Sequence, residues 1–220
     1  MRLRYVKDAD EKIENYPQYI LNIPRNQHYL LNNAFLEEKP LHIEIGTGKG
    51  QFIHTLASRH PEFNFIGIEK FNSAIVKALD KVLIDPLKNL YLVRMDAEQL
   101  DACLQSKSVD TIYLNFSDPW PKARHEKRRL THPDFLSMYK TILKNQGRII
   151  FKTDNRELFE YSVIAFHQER FLFEELSLDL HKDKDFKNIM TEFEEKFSKE
   201  GPIYQIKVIY QEEENEANLR

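Results

Sequence analysis

Four acidic residues lie in or just after short apolar segments, where their carboxylates could bind the polar groups of a ligand. Glu44 lies in LHIEI, Glu69 ends FNFIGIE, Asp96 follows LYLVRM, and Asp118 follows VDTIYLNF. A carboxylate accepts hydrogen bonds from hydroxyl and amino groups and attracts a cation. Each acid alone also fits an ordinary solvated strand end, but their recurrence after successive segments favours one shared ligand site.

The segment EIGTGKG, residues 44–50, places three glycines directly after the first of these apolar segments. Glycine permits positive φ and a close approach of a ligand to the backbone. The segment lacks the hydroxyl residue that a P-loop requires after Lys49, and it is one residue shorter than the G-x-G-x-x-G motif of dinucleotide-binding proteins. Glu44 also disfavours a pyrophosphate, which prefers amides and cations.

S-adenosylmethionine carries an ammonium and a sulfonium but no phosphate, so an acidic rim suits it. We therefore expect the loop to bind this cofactor through Gly46 and Gly48, with Glu44 nearby. Glu69 would accept hydrogen bonds from the ribose hydroxyls. Asp96 would accept one from the adenine amine.

The corner DPWP at residues 118–121 follows the fourth apolar segment. The two prolines fix φ and remove two backbone donors, so the corner would hold Asp118 rigidly. Methyl transfer by in-line displacement needs mainly such positioning, because the sulfonium already activates the carbon. An ordinary turn with a packed tryptophan is the simpler alternative. The [DNS]-P-P-[YFW] corner of enzymes that methylate exocyclic amines is another alternative. In that motif the second proline precedes the aromatic residue, whereas here Pro121 follows Trp120, which argues against it.

A run of cations follows the corner at once, in a chain whose formal net charge is −3. Five cations and Glu126 give residues 122–129 a charge of +4, so the rest of the chain sums to −7. Such a run is often a solvated surface, but beside a reactive corner it could bind phosphates while a base reaches the methyl donor. The cations are Lys122, Arg124, Lys127, Arg128 and Arg129.

Five blocks of the sequence combine these features with two later motifs. They are EIGTGKG at 44–50, Glu69, DPWPKARHEKRR at 118–129, TDN at 153–155 and TEFE at 191–194. Together they resemble the bacterial tRNA (guanine-N7)-methyltransferases, from about residue 20 to residue 210. The resemblance implies a class I methyltransferase sheet, S-adenosylmethionine as methyl donor, and the variable-loop guanine at tRNA position 46 as substrate.

The resemblance also implies roles for single residues. Asp118 would be the catalytic acid and would contact the cofactor, while Lys122, Asp154 and the segment from Thr191 to Glu194 would contact the substrate. Guanine N7 has a lone pair and no proton, so we expect acidic residues to orient the base and stabilise its cation, not to abstract a proton. Taken alone, Asp154 also fits a helix cap, and TEFE fits a capping box.

The elements that must position these residues follow from periodicity. Short apolar segments at 41–45, 63–69, 90–95, 109–116 and 148–153 alternate with helical patterns, which predicts parallel strands with helices on both faces. Segments 171–180 and 203–211 read as two further strands that pair at one edge. We expect a doubly wound α/β fold with a mostly parallel seven-stranded sheet and an antiparallel last strand. We expect one domain over 1–220, with an N-terminal extension (1–25) and a frayed tail (212–220).

Composition excludes several classes of protein. With 41% hydrophobic and 12% aromatic residues, the chain can bury a core. It has no apolar run approaching the ~18 residues of a membrane span. The lone Cys103 fits a core thiol, and no His/Cys spacing indicates a metal.

We expect a cytoplasmic, metal-free enzyme that acts on tRNA as a monomer or homodimer. The alternatives are methylation of an exocyclic amine in another nucleic acid and a non-catalytic RNA-binding module.

Overall fold

The structure is a computed structural model that describes residues 6–21, 23, 30–183 and 188–212. The strands in these ranges are β1 (Ile20–Leu21), β2 (Leu41–Ile45), β3 (Asn64–Glu69), β4 (Leu90–Arg94), β5 (Val109–Asn115), β6 (Leu143–Thr153), β7 (Leu172–Ser177) and β8 (Tyr204–Ile209). The α-helices are α1 (Ala9–Glu14), α2 (Gln51–Arg59), α3 (Asn72–Ile84), α4 (Leu100–Cys103), α5 (Pro133–Ile142), α6 (Arg156–Gln168) and α7 (Glu192–Phe197).

The strands form one sheet in the order β1-β4-β3-β2-β5-β6-β8-β7. All neighbours are parallel except that β8 runs antiparallel to β6 and β7. The predicted mostly parallel α/β fold is therefore confirmed, as is the pairing of the last two strands at one edge. The expected number of strands was wrong. The sheet has eight strands, and the additional one is β1. It pairs with β4 and is only two residues long, so the sequence shows no alternation there.

Helices cover both faces of the sheet. Leu136 of α5 and Phe166 of α6 belong to one buried apolar cluster, which also contains Cys103. Ile53 of α2 and Leu79 of α3 belong to a second cluster. The amphipathic spacing of these helices is what lets each one bury a single apolar face against the sheet.

Two local features depart from the pattern of the sequence. The described part of the expected N-terminal extension packs on the domain, because Ala9 and Ile13 of α1 are buried in the second cluster. Strand β6 begins directly after α5, at Leu143, so Gly147, which lies beyond the end of the helix, is inside the strand and not in a turn. A Cβ atom at Gly147 would lie 2.8 Å from the carbonyl oxygen of Lys144, which explains the glycine.

The order of strands reverses between β2 and β5, since β3 and β4 lie on one side and β6 on the other. Ligands of open α/β sheets bind at the carboxyl ends of the strands at such a switch point. The topology therefore brings the ends of β2, β3, β4 and β5 to one edge. No helix in the described ranges is long and apolar enough to cross a membrane.

Candidate active site

A cavity of about 1390 Å³ lies at the carboxyl ends of the central strands. Five of the six residues predicted to bind the cofactor line it: Gly46, Gly48, Glu69, Asp96 and Asp118. Trp120 and Arg128 line the same cavity, so the glycine loop and the DPWP corner face one space. The structure thus brings together the two motifs that the sequence separates by about seventy residues.

The glycine loop is shaped by positive φ angles. Gly46 has φ 80° and Gly48 has φ 58°, a region that other residues rarely adopt. A Cβ atom at either position would meet nothing within 4 Å, so the backbone conformation alone requires glycine there. The space beside both residues is open to a ligand.

Glu44 lies beneath this loop, not on the cavity surface. Its side chain is buried, and its carboxylate accepts hydrogen bonds from the Thr47 hydroxyl at 2.6 Å and from the Asn115 amide at 2.8 Å. Burial raises the pKa of Glu44 to about 7, although these two hydrogen bonds and the nearby Lys152 each lower it. The Oδ1 atom of Asn115 is buried and accepts no hydrogen bond from any described residue.

Glu69 and Asp96 differ in how firmly they are held. Glu69 is buried at the end of β3 and accepts backbone hydrogen bonds from Gly48 at 3.0 Å and Phe71 at 2.9 Å. Each carboxylate oxygen keeps a second lone pair for a ligand. Asp96 is about half exposed, accepts a long 3.3 Å bond from the Glu98 backbone, and lies 3.7 Å from the Lys70 ammonium.

The DPWP corner is a strained turn. Phe116 has φ 51° and Trp120 has φ 41°, although neither is a glycine. Such angles are unfavourable for bulky residues, which keep them only where the surroundings enforce them. Here Arg129 donates to the carbonyl oxygens of Pro119 at 3.2 Å and Trp120 at 3.1 Å. Asp118 is exposed and makes no hydrogen bond or ion pair with the described residues.

The basic run divides into two parts. Most of it is a 3₁₀ helix, Ala123–Arg128. Lys122, Arg124 and Lys127 are exposed, and neither lysine forms an ion pair within the part of the chain that the structure describes. Arg128 is exposed as well, but its guanidinium lies 4.8 Å from the Trp120 ring, and the guanidinium of the half-buried Arg129 lies 4.3 Å from the Tyr161 ring.

The residues of the two late motifs lie outside the cavity lining. Asp154 is exposed just after β6, and the cap of α6 is Asn155, whose side chain accepts from the Leu158 backbone at 2.7 Å. The alternative of Asp154 as that cap is therefore wrong. Thr191 does cap α7, accepting from the Glu194 backbone at 3.0 Å.

Glu194 does not close the capping box. Its side chain has no exposed surface, and its carboxylate accepts hydrogen bonds from Lys152 at 2.8 Å and Asn188 at 2.5 Å. The His181 ring also lies 3.0 Å from it. The predicted substrate residue is thus held inside the protein by other side chains.

Sequence reasoning missed Thr47, Asn115 and Lys152, which surround Glu44 or Glu194. A signal was present for two of them. Asn115 and Lys152 are polar residues at the ends of the strongly apolar segments VDTIYLNF and RIIFKT, where a buried polar group must find a partner.

Comparisons with known proteins indicate the family to which the chain is similar. Residues 38–206 match the model of a family described as "Putative methyltransferase". The chain is 47% identical over 220 residues to a tRNA (guanine-N(7)-)-methyltransferase of Geobacillus sp. (strain WCH70), covering all of both chains. It is 49% identical over 207 residues to the enzyme of that name from Enterococcus faecalis (strain ATCC 700802 / V583), covering 94% of this chain and 97% of that one.

A solved structure described as an antibiotic-related methyltransferase superposes with a TM-score of 0.58 at 19% identity, covering 95% of this chain and 96% of that chain. At this identity the likeness concerns the fold alone. The family model and the relatives at 47–49% identity go further, because these matches cover nearly the whole chain, including the residues of the glycine loop, the DPWP corner and the basic run. The chain therefore belongs to the bacterial tRNA (guanine-N7)-methyltransferases.

Proposed function

We propose that this protein transfers a methyl group from S-adenosylmethionine to N7 of the variable-loop guanine at position 46 of tRNA. The observation that carries the proposal is the single cavity that the glycine loop shares with Asp118 and Trp120, beside an exposed basic run. The relatives are named for guanine N7 of tRNA. The protein would act in the cytoplasm as one methyltransferase domain, residues 1–220, in a monomer or a homodimer.

The residues at the glycine loop suit this cofactor. Open space beside Gly46 and Gly48 admits a ligand, and Glu69 offers lone pairs to ribose hydroxyls. The unpaired Oδ1 of Asn115, next to the carboxylate of Glu44, suits an ammonium donor. Asp96, about half exposed, lines the cavity where an adenine amine could donate. When bound, S-adenosylmethionine supplies a sulfonium-activated methyl group.

Asp118 would act as an acceptor close to the reacting base. Guanine N7 carries a lone pair and no proton, so the methylated base becomes cationic and the site needs no general base. An exposed carboxylate without a partner among the described residues is available both to orient guanine and to stabilise that positive charge. Asp154 and Thr191 would assist from the substrate side.

The tRNA would bind through the exposed cations Lys122, Arg124 and Lys127. Phosphate contacts supply affinity and register, while the reaction is specified by the group that reaches the cavity. Arg128 and Arg129, although part of the same run, would support Trp120 and the corner in addition to any contact with RNA.

The test is to incubate the protein with unmodified tRNA and methyl-labelled donor, and then to cleave the chain chemically at N7-methylguanine. Label with cleavage at position 46, and its loss when that guanine is replaced by adenine, is the expected result. Label without cleavage would favour methylation of an exocyclic amine. Binding of tRNA without label would favour a non-catalytic module.

A further inference from the structure

Lys152 is a lysine in the interior of the sheet. Its relative exposure is 1%, and its position on β6 pairs with Asn115 of β5 on one side and Gln205 of β8 on the other. Burial lowers the pKa of its ammonium, while Glu194 acts in the opposite direction. A buried charge persists only when it is paired and hydrogen-bonded, so this lysine must have a structural or functional reason.

All three hydrogen bonds of the Lys152 ammonium go to one segment, residues 188–194. The acceptors are the Glu194 carboxylate at 2.8 Å, the Asn188 side-chain oxygen at 3.0 Å and the Ile189 carbonyl at 3.2 Å. An ammonium has three donors, so none remains for another group. The bonds fasten the start of α7 to the middle of the sheet.

The same lysine also lies near one residue that flanks each of the two motifs facing the cavity. Its ammonium lies 5.1 Å from the ring of Phe52, in the helix that follows the glycine loop, and 5.9 Å from the ring of Phe116, where the corner begins. The carbonyl oxygen of Lys152 accepts from the Phe116 backbone at 2.8 Å. Lys152 therefore lies where three elements meet: the segment 188–194, helix α2 after the glycine loop, and the strand end that leads into the corner.

Glu194 is fully buried and occupied by Lys152, Asn188 and His181, so it cannot reach a base without breaking this arrangement. Its neighbour Phe193 is exposed, with its ring 5.0 Å from that of Phe116. The buried ion pair of Lys152 and Glu194 thus sets where the exposed residues of segment 188–194 lie relative to the corner.

Other contacts of α7 are on the surface. Glu192 pairs with Lys49 at 2.8 Å and with Lys81 at 3.0 Å, and Gln51 donates to Glu195 at 2.7 Å. These groups are partly exposed, and surface ion pairs contribute little. The buried pair is the anchor of the segment, and the surface contacts align it against the glycine loop.

From this geometry we propose that Lys152 is a positioning residue, which acts through Glu194 to hold residues 188–194 against the corner so that the substrate guanine is aligned. The inference rests on the proposed function. It assigns Glu194 an indirect role in the reaction. Loss of the Lys152 ammonium should therefore lower kcat and not the affinity for tRNA, because phosphate contacts elsewhere dominate tRNA binding.

The test is Lys152→Met, which keeps the length of the side chain and removes the ammonium. We expect kcat with tRNA to fall about 10- to 100-fold, as for a displaced positioning group. The Kd values for tRNA and for S-adenosylhomocysteine should stay within about twofold, since neither the exposed cations nor the glycine loop is altered. The matched control is Lys144→Met, at the other end of β6, where the lysine pairs with Asp110 at 2.8 Å; its kcat should be unchanged.

A second variant covers the case in which the single one does not fold. Lys152→Met combined with Glu194→Met removes both charges, and an apolar replacement of a buried ion pair often preserves stability. We expect this variant to fold and still to lose kcat by about tenfold or more, because the ion pair that fastens residues 188–194 to β6 is gone. A folded variant of either kind with kcat within about twofold of the original would overturn the inference. Absence of N7 methylation by the unmodified protein would instead overturn the proposed function, and the inference with it.

Discussion

The wall of the cavity formed by the glycine loop and Glu69 is held by buried groups, whereas the wall formed by residues 118–129 faces solvent. At the first wall Glu69, and behind it the buried Glu44, each accept two hydrogen bonds inside the protein. On the second, Asp118 and Lys122 are exposed, and positive φ angles occur at Trp120 and, just before the corner, at Phe116. A small cofactor needs a preformed site, while a polyanion is attracted by cations that stay hydrated until phosphates arrive.

Arg129 shows that the boundary between these walls does not follow the sequence. It belongs to the basic run, yet its guanidinium hydrogen-bonds the corner and lies against Tyr161. The contrast to test is therefore between groups that build the site and groups that attract RNA. Three sets of substitutions and a change of pH separate the two kinds of group.

Replacing Asp118 by alanine should abolish most of the methyl transfer, with kcat lower by roughly 100- to 1,000-fold, the usual cost of losing a group that stabilises developing charge. Binding of S-adenosylhomocysteine should be retained in part, because Glu44 and Glu69 remain. Single-turnover transfer and calorimetry measure the two quantities. A fully active variant would remove Asp118 from the proposed mechanism.

Replacing Arg129 by alanine should lower kcat about 10- to 100-fold, because the strained corner loses both of its side-chain hydrogen bonds and Asp118 shifts. Lysine at this position should not restore activity, since it lacks the planar fork that reaches two carbonyl oxygens. The salt dependence of tRNA binding should change little. A large change in that slope with kcat preserved would place Arg129 with the phosphate-binding cations.

Replacing Lys122 and Lys127 together by alanine should weaken tRNA binding by about five- to tenfold. It should also reduce the slope of log K against log salt by about one unit for each phosphate that the variant no longer neutralises. Affinity for S-adenosylhomocysteine should stay the same, because both side chains are exposed to solvent. Filter binding at several salt concentrations measures this. An equal weakening for tRNA and for the cofactor analogue would contradict the separation of the two walls.

The smallest effect concerns pH and Glu44. Its ordinary pKa of 4.5 is raised to about 7 by burial, so the carboxyl is half protonated near neutrality. A ligand ammonium favours the ionised form, so affinity for S-adenosylhomocysteine should rise about fourfold from roughly pH 6.5 to pH 8. 5′-Methylthioadenosine, which lacks the ammonium, should show no such rise.

As pH rises, the contribution of Glu44 to folding stability falls, whereas its contribution to ligand binding rises. A carboxyl whose pKa is raised in the folded state favours folding below that pKa, so the ligand-free protein should lose this contribution as pH rises from about 4.5 through about 7. The groups that face Glu44 are Thr47, Asn115, Lys152, Glu69 and Tyr113. Glu44→Gln should make both the binding and the stability flatter in this range, as calorimetry and thermal unfolding would measure.

Much of the fold was predictable because the alternation of apolar segments and helical patterns is a local signal. The ends of four strands could be read as one ligand edge, since parallel strands share their carboxyl ends. Two features could not be predicted. Strand β1 has only two residues and therefore no periodicity, and β6 begins at Leu143, directly after α5, with no turn to mark its start. Asp154 and Asn155 are adjacent, so pattern alone could not decide which one caps α6.

The sequence by itself determined the chemistry of the site: a glycine loop, acids at strand ends, a proline-framed corner and a run of cations. Only the tertiary structure decided which of these groups face the ligand and which face each other. Lys152 and Glu194 are 42 residues apart and Glu44 and Asn115 are 71 apart, so neither pair has a local signature. Burial depends on what long-range packing places beside a side chain, and burial is what decides whether a polar residue pairs inside the protein or stays available to substrate.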